Sequence, residues 1–144
     1  MKEQPKGNLV TPIGPIHFCM AQADHVFLHT ENELITIRGI PYHVSYHCYL
    51  IDGQWTAKDW YEPHLSRKDR YLEPSLAARK TARTTLANAW SEHLTAHPEL
   101  SRQAALAKAE SEVEKLADEL EALEQKVSEK RKELAAAKKM LAVV

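Results

Sequence analysis

Apolar and polar positions alternate in short runs across residues 16–60. Residues 16–20, 25–29, 34–38, 42–51 and 54–60 each read as a strand, rich in β-branched and aromatic types. Thr30, Glu31 and Asn32 punctuate the second and third runs, and Gly39, Ile40 and Pro41 the third and fourth. Asp52-Gly53 is the strongest turn signal, because a two-residue type I′ hairpin needs positive φ at both central positions. These connections are too short for parallel crossovers. The pattern predicts an antiparallel meander of four to five strands.

Within the longest strand, Tyr42, Val44, Tyr46, Cys48 and Leu50 fall on one face. His43, Ser45, His47, Tyr49 and Ile51 fall on the other. The first face is the more apolar and is expected to meet a helix.

The period then changes. Residues 62–73 form a polar connection, and residues 75–97 read as a helix, with Pro74 suited to its start and Pro98 to its end. Ala78, Ala82, Leu86, Ala89, Trp90 and Leu94 recur at helical spacing, a stripe that can lie on the sheet. Beyond Pro98 there is no further proline or glycine. The expectation is one helix of about 65 Å at 1.5 Å per residue.

A heptad fits this last segment. The a positions are Leu106, Val113, Leu120, Val127, Leu134 and Leu141; the d positions are Ala109, Leu116, Leu123, Lys130, Ala137 and Val144. Only Lys130 is charged in the seam, so the segment reads as a coiled coil. Residues 110–124 carry seven acids and one base, and residues 125–139 six bases and two acids. A parallel in-register pair sets like charges together, Glu119 near Glu124 and Lys126 near Arg131. An antiparallel homodimer sets the acidic half on the basic half.

Over the whole chain, 19 Lys and Arg balance 20 Asp and Glu, so net charge gives no reason to expect nucleic acid or membrane. Two cysteines, Cys19 and Cys48, make no disulfide framework and suit a reducing compartment. The polar, proline-containing stretch 1–15 has no signal-peptide run and reads as a flexible arm or an edge segment. No segment has the ~20 apolar residues of a membrane span. The expected location is the cytoplasm.

Three histidine pairs have i, i+4 spacing: His25 and His29, His43 and His47, His93 and His97. On a strand this spacing separates two rings by ~13 Å, too far for one metal ion. The third pair lacks the glutamate of His-Glu-x-x-His. No phosphate-binding glycine loop or nucleophile elbow occurs. No metal, cofactor or catalytic residue is therefore assigned.

Positive charge is concentrated locally. Arg67, Lys68, Arg70, Arg79, Lys80 and Arg83 face only Asp69 and Glu73 within the same stretch. Arg79 and Arg83 are one helical turn apart and can clamp a phosphate, with Trp90 and His97 continuing their line. An acidic protein surface suits the same patch.

The plan is α+β: an antiparallel sheet packed by one helix within 16–97, then a dimerising helix over 98–144. In size and layout it resembles small phage or prophage accessory proteins, among them inhibitors of CRISPR effectors and sponges for nucleotide signals. That resemblance implies a non-enzymatic protein that inhibits or sequesters a host protein or nucleic-acid complex. The contacts would come from Arg67, Lys68, Arg70, Arg79 and Arg83 and from the sheet face of His43, His47 and Tyr49. A sponge for a phosphorylated nucleotide is the second reading, and a small histidine-dependent nuclease or hydrolase the third.

Overall fold

In the computed structural model, described for residues 4–58, 65–67 and 74–144, the alternating runs become strands of one antiparallel sheet. The sheet's strands are β1 (Lys6–Thr11), β2 (Gly14–Gln22), β3 (His25–His29), β4 (Ile35–Ile37), β5 (Ile40–Ile51), β6 (Gln54–Lys58) and β7 (Leu65–Arg67), the last lying in the stretch read as a polar connection. Two helices follow, α1 (Leu76–Ala96) and α2 (Glu99–Val143). The fold is α+β.

β5 organises the sheet because its twelve residues outrun every neighbour. Its C-terminal part pairs with β3 and β6, and its N-terminal part with β4 and β7. The chain departs from a strict meander twice: β3 pairs with β5 while β4 joins as a short hairpin on β5, and β7 pairs with β5 past β6. Both β5 hairpins turn through positive φ. Asp52 and Gly53 have φ of 51° and 79°, as the type I′ reading requires, and Arg38 and Gly39 have 52° and 78°.

β1 lies in the stretch read as a flexible arm or an edge segment, and it is an end strand of the sheet. Its six residues pair with β2 from Lys6↔Cys19 to Thr11↔Gly14. The alternation rule misses it because Thr11 is buried while Val10 points outward. The turn explains the inversion. Thr11 Oγ1 donates to the Gly14 carbonyl (2.7 Å) and accepts from the Ile13 N–H (3.2 Å).

α1 closes one side of the sheet. Ser75 caps it, its Oγ accepting from the Ala78 N–H at 3.1 Å. Pro74 sits just outside, where no N–H is needed. Ala78, Ala82, Leu86, Ala89 and Trp90 are buried against Ile16, Phe18, Tyr46 and Cys48. The alanines let the helix approach the sheet closely, and burying Leu86 alone contributes about 2 kcal/mol. Tyr42, Val44, Tyr46 and Cys48 face this core as expected, while Leu50 at the strand end is exposed.

The described residues fall into two units, one reaching Lys108 and the other comprising Ala109–Val144. The helix expected to begin a separate segment at residue 98 therefore starts within the first unit. Ala104 and Ala107 are buried there, and Lys108 Nζ donates to Gln22 Oε1 at 3.1 Å. In the second unit the heptad seam is bare along the helix. Its valine and leucine seam residues from Val113 to Leu141 are 48–76% exposed.

Candidate functional site

The strands alternate, so every second side chain of the sheet points away from α1. The pairing aligns these outward residues into rows. Lys6, Cys19, Phe27, His47 and Lys58 form one row across five strands. Asn8, His17, His29 and Ser45 form the next, and His25, Tyr49 and Thr56 a third.

The rings in these rows touch continuously. Centroids lie 5.6 Å apart for His17–His29, 5.0 Å for His29–Phe27 and 4.8 Å for Phe27–His47. The line continues at 5.1 Å for His47–His25 and 4.5 Å for His25–Tyr49, whose planes differ by 6°. Rings that stand on a sheet and stack on their neighbours cover one another's faces.

Polar contacts fix the ladder. His25 Nε2 and His47 Nδ1 are 2.8 Å apart, one donating and one accepting. Glu31 stands at the other end, 3.7 Å from His17 and 4.0 Å from His29. Burial holds the His25 imidazole below its ordinary pKa of 6.5, partly offset by the nearby Asp24 carboxylate. Thr30 Oγ1 lies 3.4 Å from His43 Nδ1 and accepts from the Val44 N–H at 3.1 Å.

The structure sorts the candidate residues into separate places. His47 and Tyr49 belong to the ladder, and His43 lies on the same side of β5. Arg79 and Arg83 are half-buried on α1, across the sheet from the ladder, so these two groups do not form one surface. Trp90, which lies both on the helical stripe and on the line of the arginines, is fully buried, as the stripe requires. It packs on Phe18 (5.0 Å) and edge-on to Trp55 (5.8 Å), because the helix turns that position onto the sheet. Lys68 and Arg70 lie outside the described residues, as does the side chain of Arg67.

His93 and His97 meet at 4.6 Å with tilted rings near the end of α1, and His93 also packs on Phe18 at 5.2 Å. Burial, and then His97, push the His93 pKa down against the opposing pull of Glu99. His97 ends the helix as its cap and lies 3.5 Å from Glu99.

Four ladder members, His17, His25, Phe27 and His29, were not among the candidates. Their i, i+2 spacing signals a shared face, but the register that joins three strands is not in any one run. Among the described residues no three His, Cys, Asp or Glu side chains are grouped to hold a metal ion. None of the described helices is long and apolar enough to cross a membrane. An open hollow of about 490 Å³ lies between β1 and α1, where Glu92 and His93 are the titratable lining groups.

Comparison with known protein families, characterised proteins and solved structures finds no match to this chain.

Proposed function

We propose that the chain is a non-enzymatic binding protein, an antiparallel homodimer joined through α2. On this reading the ring-bearing sheet face holds an acidic or phosphate-bearing partner. The protein thereby inhibits or sequesters a host protein or nucleic-acid complex.

The observation that supports this is the ladder running from His17 to Tyr49. Aromatic groups with polar tips are the residue types that recur at contact surfaces. The imidazole edges offer donors and acceptors side by side. Lys6 and Lys58 end the row through Phe27 and His47, so a polyanion crossing the strands meets an ammonium at each side. A face of this kind recognises by contact and needs no enclosed cleft. Arg79 and Arg83, on the other side of the sheet, then serve a separate contact.

Fluorescence anisotropy with a labelled single-stranded oligonucleotide tests the assignment, with polyglutamate as the protein-like arm. Lys6→Glu with Lys58→Glu is expected to weaken binding at least about tenfold and to flatten its salt dependence. Arg79→Glu with Arg83→Glu should leave it within about twofold. If the lysine variant binds both probes as wild type does, the sheet face is not the site.

A further inference from the structure

Resting on that homodimer reading, we infer that two copies of α2 pack in one antiparallel register. In it Leu116 faces the partner's Leu134, and the two-fold axis passes at Gln125. Each a position then meets a d position of the second copy.

Charge is the first reason for this register. It lays the acidic stretch 110–124 along the partner's basic stretch, and the reverse, on both sides of the axis. Electrostatic matching of this kind sets orientation.

Lys130 is the second reason. A parallel in-register pair stacks Lys130 on its own copy inside the seam. The antiparallel register sets it over the partner's Leu120, which Glu119 and Glu121 bracket. Within one chain Lys130 Nζ already reaches out to Glu133 at 3.1 Å, with both side chains exposed. The ammonium thus lies at the seam's edge, where the partner's carboxylates are placed.

Side-chain size is the third. Parallel packing puts Ala109 on Ala109 and Ala137 on Ala137, which leaves voids. The antiparallel register sets Ala137 against the partner's Val113 and Ala109 against the partner's Leu141, large on small. Sliding by one heptad in one direction sets Leu141 against the partner's Arg102 and Val144 against the partner's Glu99, charged groups on apolar ones.

This geometry separates the two Lys108 positions by about 50 Å along the helix axis. The partner this fits carries repeated copies of one feature, which two linked sites hold far more strongly than one.

Cysteine pairing tests the register in full-length protein carrying Cys19→Ser. Leu116→Cys and Leu134→Cys variants are mixed and oxidised, with sedimentation recording the mass of each. The expected product is a crosslinked heterodimer, with little crosslinking of either variant alone. Efficient self-crosslinking of Leu116→Cys overturns the inference in favour of a parallel pair. A dimer that forms neither bond overturns the register while leaving the homodimer standing. A wild-type monomer overturns both.

Discussion

His25 and His47 come from different strands and hold a single hydrogen bond between their rings, Nε2 to Nδ1 at 2.8 Å. Such a bond needs one nitrogen with a proton and one without. It survives with one imidazole charged, and it fails when both are.

The partly buried His25 imidazole carries a pH dependence with a definite sign. Burial holds the folded-state pKa of His25 below 6.5, so on acidification the unfolded chain takes up that proton first. Stability is therefore full above about pH 6.5 and is lost as pH falls below it. His93, depressed mainly by burial, adds in the same direction. Thermal melts from about pH 7.5 to 5 are expected to show a falling Tm, with a shallower fall in His25→Phe, which keeps the ring on Tyr49. Parallel slopes in the two proteins would remove His25 from the explanation.

The two thiols should differ sharply in reactivity. Cys48 is fully buried beneath α1, and burial pushes its pKa up to about 12. The thiolate is the reactive form, so Cys48 is inert in the native state. Cys19 lies on the outward face with its Sγ 3.3 Å from Gln4 Oε1. A chromogenic disulfide reagent should report one thiol per chain in native protein and two after denaturation. Native Cys19→Ser protein reporting one thiol would contradict the placement of Cys48.

Two glycines with positive φ should respond unequally to alanine. Gly53, at φ +79°, has nothing within 4 Å of an added Cβ, so Gly53→Ala is expected to cost about 1 kcal/mol of backbone strain. Gly14, at φ +135°, would bring that Cβ to 3.1 Å from Ile35 Cα and 3.2 Å from the Leu34 carbonyl. Backbone cannot yield as a side-chain tip does, and Gly14→Ala should cost at least about twice as much. Denaturant titration of both variants checks the order, and equal midpoints would refute it.

Much of the fold is legible in local pattern. The Asp52-Gly53 turn, the buried series Tyr42 to Cys48 and the α1 stripe through Leu86 all follow from period and turn chemistry. β1 does not, since Val10 points out and Thr11 in against their hydropathy. The candidate site is half legible. Strand alternation places His43, His47 and Tyr49 together, whereas Trp90 falls both on the apolar stripe and on the line of the arginines, and docking the helix on the sheet buries it.

The sequence alone determines what depends on neighbours a few residues apart. That covers strand faces, hairpin turns, helix limits and the heptad seam of α2, because backbone geometry repeats over two, three or four residues. Tertiary structure decides what depends on register. It pairs β3 with β5 past β4, brings His25 to within 2.8 Å of His47, and puts Arg79 and the ladder on opposite sides of the sheet. A strand can pair at many offsets, and the offset is chosen only when all the buried faces fill one core together.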